Sequence, residues 1–390
     1  MRQRPATGPL APKLPTFAAN SSRLVHGPGC HRLWQAAASC AHLPATPFEA
    51  ELQDTALLTQ APPALPASGL AAHLLRHWGL SGRLSSLTSE RDLNHRLDSR
   101  EGRFVLRLSN PAEPEAMTDF QTRAHLHVAR AAPALPVQRI RPLRDGSHIL
   151  ALPEGRLRVL GWLPGTTLAE APRSPTQTRA IGAALAALTA ALESFSHPAA
   201  NHALLWDIRQ LPALAGKLPA IPDPDLRSQA ESVVTDFGAR ISPVLDRMPR
   251  QVVHADFNPH NLLVSPHAPE TLTGILDFGD MVRTPRICDL AVAASYHAGQ
   301  PDALDHLSAL VSAYDDRLPL TRDEIVLLPD LITARLIATL TISAWRAALY
   351  PGNAAYILRN AASARAGLAV FQALGRAAVT ACINKATGQE

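Results

Sequence analysis

Two apolar runs carry polar side chains that a hydrophobic core has no use for. Val252–Val264 reads VVHADFNPHNLLV and holds His254, Asp256 and Asn261; Gly274–Asp280 reads GILDFGD and holds Asp277 and Asp280. Asp256 follows the apolar pair Val252 and Val253 in a turn, where a carboxylate is free to approach a substrate hydroxyl as general base. Asn261 supplies a neutral oxygen and Asp277 a charged one, at the ends of two neighbouring strands. Mg2+ is a hard ion that takes one or two protein oxygens and leaves its other positions to water and nucleotide phosphates. The set therefore suits phosphoryl transfer, in which positioning and charge neutralisation do most of the catalytic work. Either half alone is weak, but H-x-D-x-x-x-x-N followed by D-F-G at this distance is specific. His260, between Asp256 and Asn261, reads as a solvated turn histidine because Mg2+ prefers oxygen ligands. A metal-dependent hydrolase built on His254, His260 and the aspartates would instead require tightly bound zinc.

The elements around these motifs divide in character. Leu70, Leu74, Leu75 and Trp78 recur at helical spacing and stop at Gly79, which predicts a short amphipathic helix. LSSLTSERDLNHRLDSREGRFVLRLS reads as three strands joined by turns, and the alternation of Phe104, Leu106 and Leu108 with Val105 and Arg107 puts Arg107 on the face away from the core. A helix is predicted over Glu115 to Ala131, then three more strands in RIRPL, SHILAL and RLRVLGWL. Beyond Gly165 the pattern is helical. Ser174-Pro175 and Asp223-Pro224 open helices as cap followed by first-turn proline, with Gln177 placed to reach back to its cap. Further helices are expected at 287–296, 302–314, 321–348 and 354–383.

At 390 residues and 46% hydrophobic, the chain can bury the cores of two lobes. The net charge of +4 is mild and no Lys/Arg run is long enough to read as a nucleic-acid tract. The apolar stretches, such as Ile181 to Leu192, stop short of the roughly 20 residues that cross a bilayer, so neither nucleic acid nor membrane is an expected partner. Cys30, Cys40, Cys288 and Cys382 show no CxxC spacing and read as free thiols in a reducing, cytoplasmic compartment. Residues 1–48 contain no Asp or Glu and lack periodicity, so a poorly ordered extension is expected over 1–53; it reads as an idle extension more than as a transit peptide. QAPPALPASG, Gln60 to Gly69, reads as a linker into the folded part.

VVHADFNPHNLLV with GILDFGD resembles the catalytic and metal loops of the aminoglycoside phosphotransferase and choline kinase superfamily, small-molecule relatives of the protein kinases. Within it, SERDLN (Ser89–Asn94), FVLRLSN, LPG, LLWD (Leu204–Asp207) and NAAYILRNA are similar to the hydroxylysine kinase group. The resemblance implies an α+β, bilobal protein-kinase-like fold. An N-lobe of antiparallel sheet plus one helix would span 54–162 and bind nucleotide; a mostly α-helical C-lobe would span 163–384 and bind the acceptor, with a tail at 385–390. It implies Asp256 as catalytic base, Asn261 and Asp277 as metal ligands, and His254 and Asp289 as braces of the catalytic loop. Ser89 and Arg91 fall in the phosphate-covering hairpin, and Arg107 where the phosphate-binding lysine is expected. The carboxylate that partners that lysine would come from the following helix, where Glu115, Asp119 and Gln121 compete and Gln121 aligns best. Trp206 and Asp207 would line the acceptor pocket. Asp280 reads equally as an acceptor or metal contact and as a cap of the next turn. The implied reaction moves the γ-phosphoryl group of ATP or GTP, with Mg2+, to the hydroxyl of an amino-bearing alcohol. The first acceptor is 5-hydroxylysine, with homoserine, choline or an aminoglycoside as alternatives; a pseudokinase remains the contrasting reading because Arg107 replaces lysine.

Overall fold

Five strands, β1 (Gly82–Leu87), β2 (Leu93–Ser99), β3 (Gly102–Leu108), β4 (Leu150–Leu152) and β5 (Gly155–Gly161), form an antiparallel sheet in the order β1-β2-β3-β5-β4. The computed structural model describes residues 61–89 and 91–389, all within one compact unit. The extension expected over 1–53, with Cys30 and Cys40, lies outside the described residues. Of the expected linker, residues 61–66 are irregular and a helix begins at Ala67. That helix, Ala67–His73, ends in a π-turn through Trp78 and stops at Gly79, whose φ of 74° is the left-handed conformation glycine adopts without penalty. Its Leu70, Leu74 and Trp78 pack with Leu97, Leu106, Leu108, Leu157 and Val159, the inward residues of β2, β3 and β5.

The period of two puts the opposite face of that sheet to other use. Asn94, Arg107 and Arg158 are cross-strand neighbours on β2, β3 and β5. The helix Glu115–Ala131, at its predicted bounds, sends Phe120, Ala124 and Val128 into the core of the helical lobe, while Gln121 and Thr122 meet Arg158. This helix thus belongs to both lobes. Of the three strands expected after it, RIRPL makes only the single bridge Ile140 to Leu160, and SHILAL pairs only over Leu150–Leu152. Pro142 lacks the N–H that a ladder needs, which breaks the first strand.

In the helical lobe Ser174 caps Pro175–Leu192 by accepting from Gln177 N at 3.2 Å, but Gln177 does not reach back. Its amide donates to Pro172 O and Pro269 O. Asp223 caps Pro224–Asp236 as expected, and a π-turn at Phe237–Ile241 carries the helix on to Leu245. Helices follow at Arg286–Ser295, Ala303–Asp315 and Arg322–Leu349. The last expected helix is divided: Ala354–Ile357, a 3-10 turn at Leu358–Asn360, then Ala361–Thr387, kinked where Gly375 takes φ 75°. Arg322–Leu349 and Pro351–Thr387 are long and apolar enough to cross a membrane by length and composition, which the single apolar runs of the sequence did not register. Here Arg322–Leu349 is the buried centre of the helical core, and Ala361–Thr387 packs Leu368, Phe371, Val379 and Ile383 into it.

Five short strands interrupt this lobe and aim the two motifs: β7 (Gln251–Val253) pairs with β10 (Val282–Thr284), and β8 (Leu262–Val264) pairs with β9 (Leu272–Ile275) and with β6 (Thr166–Thr167). Asp256 and Asn261 lie in the loop from β7 to β8, and Asp277 stands two residues after the end of β9.

Candidate active site

Sheet and helical lobe face each other across a cleft of about 550 Å³. Ser89, Arg91, Arg107, Trp206, Asp256, Asn261, Asp277 and Asp280 all line it. The β7–β8 loop is held by an unusual backbone. Ala255 (φ 61°) and Asp277 (φ 53°) are the non-glycine residues with positive φ among the described residues, and each such conformation costs roughly 1–2 kcal/mol. Buried Asp289 holds the first, its carboxylate accepting from the backbone N–H of Ala255 at 2.9 Å and of His254 at 3.2 Å. Burial pushes the Asp289 carboxyl up, against the lowering influence of His254 and the two peptide N–H groups. Asp289→Ala should therefore cost about 2–4 kcal/mol, the price of two buried donors left without an acceptor. Urea unfolding of the full chain reads this directly, and a loss under 1 kcal/mol would remove Asp289 from that role.

His254 is fully buried and joins the two motifs. Its Nδ1 accepts from Asp256 N (3.3 Å) and its Nε2 donates to Leu276 O (2.9 Å), so both nitrogens are engaged. Phe278, the aromatic of D-F-G, sits between His254 and His125. A zinc site through His254 has no nitrogen left to use, and no group of three or more His, Cys, Asp or Glu side chains suited to a metal occurs among the described residues. His260 is not the solvated side chain expected: it is half-buried in the cleft wall and hydrogen-bonded to the Asn360 side chain, and burial, then Arg359, lowers its pKa.

Asp256 meets two partners. Asn261 Nδ2 donates to its Oδ2 at 2.7 Å, and Arg335 Nη2 stands 3.6 Å from its Oδ1. Because the amide nitrogen of Asn261 is committed to Asp256, the carbonyl oxygen is the atom it can offer a hard cation. Asp277 accepts from Gly279 N and from Arg107 Nη1 (3.2 Å), and half of its side chain is exposed. Burial would raise the Asp277 pKa, but the charges of Arg107 and then Arg91 hold it low, so the carboxylate stays ionised. Amide and carboxylate oxygens with no nitrogen or sulfur among them fit a divalent hard cation.

Arg107, expected at the lysine position, does not take its partner from the helix. Glu115 pairs with Arg156, Asp119 with Arg123 and His197, and Gln121 with Glu113 and Arg158. The carboxylate on Arg107 is Asp92, just before β2, which accepts from Nε at 2.6 Å and also from Asn110 N. Burial alone would lower Arg107; Asp92, Asp277 and Glu113 more than offset it. Beneath it, Arg158 is 2% exposed, and burial together with Arg107 pushes it down to about 10, so it keeps its charge at neutral pH.

Asp280 is 3.9 Å from Arg91, a link between the two lobes. Asp207 departs from expectation: it is buried away from the cleft, accepting from Arg209 N, the Arg209 guanidinium and Thr284 Oγ1 as the cap of the 3-10 segment Ile208–Ala220. Trp206 does reach the cleft, with the Arg335 guanidinium 5.1 Å from its ring centroid. Arg335, Thr339, Ser343 and Arg346 also line the cleft. Their spacing of four, four and three marks one polar stripe on an apolar helix, a signal readable from the sequence that the motif reading passed over.

The solved structure of an amicoumacin kinase in complex with AMP-PNP, Ca2+ and Ami aligns with a TM-score of 0.55 at 14% identity, over 81% of this chain and 93% of that one. That likeness shows the protein-kinase-like fold. Hydroxylysine kinase of Danio rerio is 27% identical over 278 residues, 67% of this chain and 78% of its own. Homoserine kinase of Zymomonas mobilis is 28% identical over 283 residues, 68% of this chain and 82% of its own. The profile of the phosphotransferase enzyme family matches residues 83–321, which take in the sheet, both motifs and Asp289. With more than half of its length so matched, this chain belongs to the phosphotransferase enzyme family, as a kinase acting on a small-molecule hydroxyl.

Proposed function

We propose that the protein transfers the γ-phosphoryl group of ATP or GTP to the hydroxyl of an amino-bearing alcohol, 5-hydroxylysine first among them. The observation that carries this is the placement of Asp256 in the cleft, with Asn261 and Arg335 on its two oxygens and Arg107 and Asp277 across from it. A bound Mg2+ would be held by the Asn261 carbonyl and the Asp277 carboxylate, and would supply charge neutralisation at the phosphates. Asp256 orients the acceptor hydroxyl and takes its proton. Arg335, buried and charged, faces that carboxylate and limits its rotation. Arg107 and Arg91 face the phosphates, with Arg107 anchored by Asp92 and able to fork onto two oxygens. Ser89, whose hydroxyl accepts from Asp92 N, shapes the covering turn.

The similarity to hydroxylysine kinases supports the acceptor, and the similarity to a homoserine kinase supports the runner-up. A transfer assay with Mg2+ and ATP or GTP, over 5-hydroxylysine, homoserine, ethanolamine, choline and kanamycin, tests both. Preference for 5-hydroxylysine, with kcat/KM at least tenfold above the others, is the expected result. Nucleotide binding without transfer to any acceptor would favour a pseudokinase, and Arg107→Lys would then show whether the arginine is its cause.

A further inference from the structure

Beyond Asp256 the cleft is walled by Trp206, Tyr296, Arg335, Arg346, Tyr356 and Arg359. Three of these six are arginines. Asp256 and Asp280 are the carboxylates at this end; both bear on Arg335, and Asp280 also stands 3.9 Å from Arg91, so with Arg91 included four guanidinium groups meet two carboxylates. His260 adds no negative charge, and with its pKa lowered by burial it is a neutral hydrogen-bonding group.

Arg335 is already engaged: its guanidinium donates to Trp206 O at 2.8 Å, bonds Tyr296 and faces Asp256. Arg359 is placed differently. The division of the last helix at Leu358–Asn360 turns Tyr356, Arg359 and Asn360 toward the cleft, and the Arg359 guanidinium lies 3.9 Å from the Tyr356 ring centroid. Stacking fixes the plane of the guanidinium and leaves its N–H edge to donate. Among the described residues Arg359 makes no ion pair with a carboxylate, and its charge is felt at His260 and Tyr296, beside the Asp256 loop.

A cavity of this sign repels an acceptor whose only charge is an ammonium. It suits one that brings an anion of its own, and a planar, edge-presenting guanidinium matches a carboxylate. Resting on the kinase reading above, we propose that Arg359 anchors a carboxylate of the acceptor, so that this site selects hydroxylated amino acids over bare amino alcohols and aminoglycosides.

The test is acceptor binding by titration calorimetry, with a non-hydrolysable nucleotide analogue and Mg2+ present, comparing 5-hydroxylysine with its carboxamide. Loss of one charge-assisted contact should weaken the carboxamide by about 10- to 100-fold. Arg359→Met should weaken the acid by a similar factor and the carboxamide by less than about threefold, and Arg359→Lys should recover part of the difference, because it keeps the charge without the fork. Equal binding of acid and carboxamide, equal loss of both in Arg359→Met, or binding of neither overturns the inference. So does a loss of nucleotide affinity in Arg359→Met, which would assign the arginine to the phosphates. Selective binding of the acid without any phosphoryl transfer would keep the inference and overturn the kinase reading; transfer to ethanolamine or choline in preference to the amino acids would do the reverse.

Discussion

Replacing Asp256 with Asn is expected to lower kcat by about 10²- to 10⁴-fold, the range associated with loss of a positioned general base. Asn preserves the shape and a hydrogen bond with Asn261, so the loss isolates the charge and the proton acceptor. Asp256→Ala should lose as much activity and also stability. Arg335 is 1% exposed, and without Asp256 its buried charge keeps the neutral partners Trp206 O and Tyr296 and the weaker influence of Asp280. A buried pair broken on one side costs about 3–5 kcal/mol; at 3.6 Å, with Asp256 partly exposed, about 1–2 kcal/mol is the expected share. Steady-state kinetics and thermal unfolding of the two variants read these effects separately. A kcat within tenfold of the unaltered protein in Asp256→Asn would remove this residue from the reaction.

Asp277→Asn should be nearly as severe, with a fall in kcat/KM of about 10²- to 10³-fold from weakened metal and phosphate positioning. Asn is the informative replacement because position 277 has φ 53°, a region that Asn and Asp tolerate better than other non-glycine residues. The fold should accordingly stay within about 0.5 kcal/mol of the parent, as for an exposed substitution. Raising Mg2+ or Mn2+ should restore part of the activity, since the lesion lies in cation affinity. A variant insensitive to divalent concentration, with kinetics close to the parent, would show that Asp277 has no part in holding the metal. The Arg107–Asp277 contact bears on the same experiment, because Asp277 serves Arg107 as a counter-charge second to Asp92. Arg107 should thus keep its position in this variant.

The helix Glu115–Ala131 shows how far local reading reached. Its bounds as read in the sequence, Glu115 to Ala131, are those observed. Its role in the site did not follow, because the same helix offers Glu115, Asp119 and Gln121 on different faces. Which of them meets β3 depends on how the helix is rotated against a sheet that is distant in the chain. The answer was none of them: Gln121 is taken by Glu113 and by Arg158, and Arg107 turned to Asp92. The strand expected from RIRPL failed for a related reason, since an apolar, β-prone run becomes a strand only where a neighbour can pair with its full backbone, and Pro142 prevents that; SHILAL does pair, over Leu150–Leu152. Asp207 was misplaced by motif proximity to Trp206, although the two sit in a turn closed by Asp207 N on Leu204 O and the Asp207 carboxylate is taken up in capping the segment that follows.

What the sequence by itself determined is local and short in range: the two motifs, the Ser174 and Asp223 caps, the β1–β3 meander, and the family to which these belong. Each is set by residues a few positions apart, so composition and spacing suffice to read it. Only the tertiary structure decided the charge pairing of the cleft. Asp92 was matched to Arg107 across a sheet, Arg335 to Asp256 from the centre of an apolar helix, and Arg359 was turned toward the cleft by a break in the last helix. Coulomb energy depends on separation in space and on the surrounding dielectric, and neither quantity is defined along the chain until packing has brought distant segments together.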